Sequence, residues 1–483
     1  VSGIGEAIQD AIGSATGGFD QVPRIFLTVS TLKTVSESLM NRSSETTRRD
    51  LIAGGAAALA GASLLRASTA QAATPADKSA PWHERRAAVE RAWLDLLGDF
   101  PQTIPALAPE MRKVTLEPGC PSERLSAGQL AVLKQQMAEE EGAIERFHVS
   151  FQTEADDRVT AWLLVPESAR SQPAPAMICI HSTTKGSGKD QTAGLSGATP
   201  DSKPDTSEGG RSYGLHLARH GFVTLSIDLL TDGERVEPGE EVLQSAPFYQ
   251  RHPEWSIVGK NTWDIMRSVD FLQTLDFVMP AQIGCIGLSL GGHTAVFAGA
   301  FEPRMAATIS VGGVLDWHRP AEHWARAKGR YVYIKKFRPY VDDPTLPVPV
   351  DFDELMMLVA PRPLLILSSE WEFHNRRNLL DKCLDVAKVY RNWRDVEGLP
   401  SVLEARKARR SYQSTLSYYK ERSNISPKKM EAELESIGAG DCFAWFTYPG
   451  GHSYPPVVRQ FSMAWLDRWL DRDLRWYGKY GRE

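Results

Sequence analysis

The chain is poor in features that would fix its class at once. Its 483 residues hold five cysteines, Cys120, Cys179, Cys285, Cys383 and Cys442. The count is odd and the spacing scattered, so no disulfide framework organises the fold. Cys179 and Cys285 stand in apolar, strand-like runs, where a thiol is buried and inert. Histidines number 11, and no Cys/His group has zinc spacing. No structural metal and no cofactor are therefore expected. Lys and Arg total 55 against 60 Asp and Glu, a net charge of -5, which excludes a dedicated nucleic-acid binder. The weakly apolar run 52–65 is too short, and too rich in Gly and Ala, to span a bilayer. What is left is a globular balance, 42% hydrophobic and 24% charged, with length for one large core plus additions.

The N-terminal stretch carries addresses rather than core. Thr46-Thr47-Arg48-Arg49-Asp50-Leu51-Ile52 is a twin-arginine pattern, followed by the apolar run and by Ala70-Gln71-Ala72, an A-x-A cleavage site. In that order they predict a twin-arginine signal over 40–72, with the twin-arginine translocase as a transient partner and a periplasmic or secreted destination. Met40 lies eight residues before Arg48. Residues 1–39 are accordingly expected to be an upstream, disordered extension. A route that exports folded protein agrees with the lack of a disulfide framework.

Residues 73–142 read as an N-terminal helical arm covering the core. Ala88, Val89, Ala92, Trp93, Leu96 and Leu97 recur at helical spacing and stop at Gly98, which predicts a helix over 82–97. Ser126 with Gln129 is a capping-box pattern for a second helix reaching 140. From 143 to 483 apolar runs predict strands at 144–152, 158–165, 175–181, 222–228, 283–288, 306–311, 363–368 and 444–448. Between them stand helices at 213–219, 262–278, 294–300 and, at the end, 461–470. Such alternation means an α/β fold, a mostly parallel sheet with helices on both faces. Ligands bind such sheets outside the carboxyl ends of the strands.

One strand ends in Gly287-Leu288-Ser289-Leu290-Gly291 and passes straight into a small-residue helix. That is the setting of a nucleophile elbow, which lifts a serine hydroxyl above the sheet at the positive end of the following helix. A serine needs a base to take its proton and an acid to orient that base. His452 is the candidate base. It follows a strand in Tyr448-Pro449-Gly450-Gly451-His452-Ser453-Tyr454, and the chain order is Ser, acid, His. The acid should follow an earlier strand, where Glu370, Glu372 and Asp316 are available; the usual place in this fold favours Glu372. The oxyanion needs two backbone donors. Leu290 supplies one, and the loop starting at His181 the other, with the Thr183 amide favoured over that of Ser182. His293 reads as a packed or capping residue, and His181 as a residue that fixes its loop.

The motifs, in order, are Ile-Cys-Ile-His-Ser-Thr-Thr-Lys-Gly at 178–186, Gly-Leu-Ser-Leu-Gly-Gly-His at 287–293, Val-Ala-Pro-Arg-Pro-Leu-Leu-Ile-Leu at 359–367 and Tyr-Pro-Gly-Gly-His-Ser-Tyr-Pro-Pro at 448–456. With them the chain resembles exported bacterial α/β-hydrolases of the dienelactone-hydrolase-like and acetyl-xylan-esterase-like kind. Dienelactone hydrolases proper carry cysteine where this chain has Ser289, and acetyl xylan esterases typically have Gln where it has Leu290. The resemblance implies a serine esterase of the carboxylic ester hydrolase class, working through an acyl-enzyme on an acylated carbohydrate or a related small ester. Three segments should shape its substrate site: the polar, flexible loop 185–211, the stretch 317–342 with Trp317, Arg330 and Tyr331, and an insertion at 391–440. The insertion has ten Lys/Arg against seven Asp/Glu and reads as helices forming a lid or a subunit contact. Other readings are a serine peptidase of the prolyl-oligopeptidase kind, which usually carries a large propeller upstream, and a binding protein on a hydrolase fold that has lost catalysis.

Overall fold

The computed structural model describes residues 80–98, 100–195, 210–314, 327–369, 376–392, 443–448 and 452–470, and the structural statements that follow concern these. The signal residues Arg48, Arg49, Ala70 and Ala72, the whole of 1–72 and nearly all of 391–440 lie outside them.

Helix α1 spans Trp82–Leu97 and stops where the Gly98 amide turns back to the Leu94 carbonyl. Strand β1 is Glu110–Lys113. Helix α2, Ala127–Glu140, opens on the expected box: Ser126 accepts from the Gln129 amide while the Gln129 side chain accepts from Ser126. There follow β2 (Ile144–Gln152), β3 (Arg158–Pro166), β4 (Ala174–Ile180), α3 (Tyr213–Arg219) and β5 (Val223–Ile227). Then come α4 (Ile257–Leu272), β6 (Val278–Leu288), α5 (Leu290–Phe301), β7 (Ala307–Val311) and α6 (Phe352–Val359). The described chain closes with β8 (Leu364–Ser369), α7 (Arg376–Asn392), β9 (Phe443–Tyr448) and α8 (Pro456–Trp469).

The strands form one sheet in the order β1-β2-β3-β5-β4-β6-β7-β8-β9. The pairs from β1 to β5 are antiparallel, and β5-β4-β6-β7-β8-β9 run parallel. The parallel part is buried on both faces, so its strands read as continuous apolar runs. On one face Tyr213 and Leu217 of α3, with Phe461, Trp465 and Trp469 of α8, cover Ile286, Val311 and Leu367. On the other, Ile265, Val269 and Leu272 of α4 cover Ile178, Ile180 and Leu225. This is the α/β-hydrolase fold with a helical N-terminal region.

Several elements depart from expectation, helix α7 over Arg376–Asn392 among them, since no helix was expected there. The helix expected over 262–278 is shifted toward the N-terminus. Ser256 caps it early by accepting from the Gly259 amide at 2.8 Å, and the Thr274 hydroxyl ends it by donating to the Phe271 carbonyl. Val278 already belongs to β6. Strand β1 was not expected, because all four of its residues are exposed and carry no apolar alternation. It is an edge strand held by its ladder to β2. Helix α6 was missed as well, although Asp351 and Glu354 form a second capping box.

The arm is docked through aromatic packing. Trp93 has no exposed surface and meets Phe297 of α5 edge-on at 5.1 Å and Phe352 of α6 at 6.4 Å. Arg85 of α1 pairs with buried Glu354 at 2.6 Å. Trp93→Ala is expected to cost about 3–5 kcal/mol of stability, the range for emptying a large aromatic site. A urea unfolding midpoint unchanged by the substitution would show that the arm is dispensable to the core.

Candidate active site

Ser289 has φ 58 and ψ -116, a backbone region that residues with a side chain rarely occupy. Holding it there costs on the order of 1–3 kcal/mol. The crossing is possible because two neighbours lack side chains. A Cβ on Gly287 would lie 2.2 Å from Gly291, and one on Gly291 would lie 2.0 Å from the Ile180 carbonyl oxygen. The Ser289 amide donates to the Val311 carbonyl at 2.8 Å, and its own carbonyl accepts from the His293 amide at 2.8 Å. The serine is half-buried between two buried leucines, Leu288 and Leu290. Leu290 is the first residue of α5, so its amide has no partner within the helix and stands at the positive end of the dipole.

The other triad candidates come after strands of the parallel sheet in the chain. Registers run Leu288 beside Val311, Val311 beside Leu367, and Ser369 beside Tyr448, so β6, β7, β8 and β9 deliver their loops to one edge. Adjacent strands are about 4.8 Å apart. Strand β8 is thus one strand from β9 and two from β6, which leads into Ser289. Glu370 and Glu372 follow β8, and Asp316 and Trp317 follow β7; all four lie outside the described residues. His452 is exposed, four residues beyond the end of β9. Its loop is tethered at both ends: the Tyr448 hydroxyl donates to the Ser453 carbonyl at 2.6 Å, and buried Tyr454 packs edge-on against Tyr213 at 5.9 Å. Tyr213, which no sequence pattern singled out, donates its hydroxyl to the Ile180 carbonyl and accepts from the Leu288 amide at 3.4 Å. One buried phenol thereby joins the end of β4, the end of β6 and the His452 loop.

The loop after β4 is held in place by hydrogen bonds. His181 is fully buried; its Nδ1 lies 2.7 Å from the Ser182 carbonyl and its Nε2 accepts from the Leu229 amide at 3.0 Å, so the proton is on Nδ1. The Ser182 amide is consumed by Gln191 Oε1 at 3.0 Å. Thr183 is exposed, and its amide has no acceptor among the described residues. Further on, the expectation of a polar, flexible segment fails for 189–192. Lys189, Gln191 and Thr192 are buried, because Lys189 Nζ reaches Asp228 at 2.6 Å and Glu234 at 2.7 Å. Residues 196–209 lie outside the described set.

Of the expected substrate-contacting residues, Arg330 pairs with Glu241 at 2.5 Å and donates to the Val242 carbonyl at 2.6 Å. Tyr331 packs edge-on against Tyr333 at 5.3 Å, and burial pushes its phenol well above the usual range. Tyr333 in turn meets His293 at 5.1 Å. His293 is buried among Phe297, Tyr333 and Phe352, a packing position on the elbow helix. Among the described residues no cluster of three His, Cys, Asp or Glu could hold a metal, and no helix is long and apolar enough to cross a membrane.

Sheet order and elbow define an α/β-hydrolase, and the match of residues 239–393 to a glucuronyl esterase family makes the enzyme class carboxylic ester hydrolase. Residues 239–393 match the family described as "Glucuronyl esterase, fungi". Over 315 residues the chain is 22% identical to the putative hydrolase YtaP of Bacillus subtilis, covering 65% of this chain and 84% of that one. Over 121 residues it is 33% identical to 4-O-methyl-glucuronoyl methylesterase 1 of Wolfiporia cocos, covering 21% of this chain and 29% of the relative. The glucuronoyl esterase from Solibacter usitatus shares the fold at TM-score 0.52 and 16% identity, over 83% of this chain and 98% of that one.

The ion cluster behind the loop makes stability depend on acid. Burial alone would raise the Glu234 pKa; the His148 hydrogen bond at 2.9 Å and the Lys189 charge outweigh it and lower the value to about 2. A depressed carboxylate stabilises above its unfolded pKa of about 4.3 and loses that contribution as pH falls toward 2. Urea midpoints should therefore decline between about pH 4.3 and pH 2, and Glu234→Gln should flatten part of that decline. Equal slopes in the two proteins would contradict the coupling.

Proposed function

We propose that the protein hydrolyses uronic-acid esters carried on carbohydrate, through an acyl-enzyme on Ser289 with His452 as base and Glu372 as its orienting acid. The observation that carries this reading is the glucuronyl esterase match over 239–393, which spans the strained Ser289 and the loop bearing Glu372. In the reaction His452 removes the hydroxyl proton as Ser289 Oγ attacks the ester carbonyl. The Leu290 and Thr183 amides take the oxyanion. The alcohol departs with the proton from His452, and water then releases the acid by the same steps in reverse order of partners. Trp317, Arg330 and Tyr331 border the sugar in this reading. Asp316 and Glu370 are the rival acids. The twin-arginine signal over 40–72 sends the enzyme to the periplasm or beyond, where such esters occur.

The test is a panel of benzyl glucuronate, acetylated xylan and p-nitrophenyl acetate. Turnover should be highest on the glucuronate ester, and Ser289→Ala should lower kcat by about 10⁴-fold or more. Preference for acetylated xylan would move the substrate to acetyl esters; no hydrolysis of any ester would end the esterase reading. Glu372→Gln should lower kcat by at least about 10²-fold with Asp316→Asn far milder. The reverse pattern would assign the acid to the loop after β7.

A further inference from the structure

Asp232 is a buried carboxylate with no exposed surface and no cationic partner among the described residues. Such a group is costly to bury and calls for a reason. Its neighbour Asp228 is neutralised by Lys189, but Asp232 is spent on neutral donors. It accepts from the Thr184 hydroxyl, at 2.7 Å on one oxygen and 2.6 Å on the other, and from the Gly233 amide at 2.8 Å. Thr184 Oγ1 in turn accepts from the Gly188 amide at 2.9 Å. Thr184 is the residue after Thr183, whose amide is offered to the oxyanion in the reading above.

The loop is clamped on both sides of that amide. Upstream, His181 is bonded through both ring nitrogens, and the Ser182 amide and hydroxyl both donate to Gln191 Oε1. Downstream stand Asp232 and Thr184. Thr183 between them is exposed. An oxyanion donor works because its direction is set before the charge develops. Unclamped on one side, the peptide unit between Ser182 and Thr183 could rotate.

We propose that Asp232 and Thr184 are positioning residues of the oxyanion hole: the carboxylate fixes the threonine hydroxyl, and the hydroxyl fixes the direction of the Thr183 amide. Neither residue touches substrate. The role rests on the serine-esterase reading and sharpens it, because it accounts for a charge at the end of β5 that the triad does not use.

The experiment compares Thr184→Val, Thr184→Ser and Asp232→Asn with the wild type on one ester substrate. A trifluoromethyl ketone, whose adduct with Ser289 carries the oxyanion, is titrated alongside. Thr184→Val should lower kcat by about 10–10²-fold, part of the full loss of one oxyanion donor, with KM nearly unchanged. Thr184→Ser, which keeps the hydroxyl, should restore most of the rate. Ketone affinity should fall in proportion to kcat/KM across the set. If Thr184→Val does not fold, Asp232→Asn, which keeps the volume and removes the charge, gives the same comparison. A folded variant with kcat and ketone affinity unchanged, or one in which KM alone moves, would overturn the proposal. A wild type that hydrolyses no ester would remove the esterase reading itself, an outcome distinct from an active wild type with indifferent variants.

Discussion

Ser289 can stand at φ 58 only because its surroundings leave the backbone no other course. Gly287 and Gly291 let strand and helix cross at a separation that no Cβ would survive. The bond from the Ser289 amide to the Val311 carbonyl fixes the elbow to the adjacent strand. The strain is offset by burial on both faces of the parallel sheet, where Ile286, Leu288, Ile309 and Val311 have no exposed surface. A sheet this well packed can hold one residue in a conformation it would leave in isolation.

From that elbow the rest of the edge is arranged by polar tethers together with the ring contact of Tyr213 and Tyr454. Tyr213 ties β4 to β6 and supports Tyr454 beside His452. Asp228 and Asp232, near the end of β5, hold the loop after β4 through Lys189 and Thr184. Buried hydrogen bonds of this kind are costly to leave half-made, so each loop has one well-defined seat. Glu234, which shares the Lys189 ammonium with Asp228, adds the sensitivity of the fold to acid.

Much of this was legible in the sequence because it is local. The Ser126–Gln129 box, the strand over 144–152 and the glycines around Ser289 each act within a few residues, and the structure places them as expected. What was not legible depends on distant partners. Strand β1 exists through its ladder to β2, and its own exposed residues show no pattern. Lys189 looked solvated, since nothing near it in the chain shows that Asp228, 39 residues on, will meet it inside. Tyr213, Thr184 and Asp232 were silent for the same reason. Glu370, Glu372, Asp316 and Trp317 lie outside the described residues and follow β8 and β7 in the chain.

Ser289 as nucleophile is the claim on which every later step stands, and a fluorophosphonate probe tests it without choosing a substrate. Peptide mapping of the labelled protein should find one phosphonyl group per chain, on the peptide carrying Ser289, with ester hydrolysis lost in step. Label on a different residue, or continued hydrolysis by fully labelled protein, would contradict it.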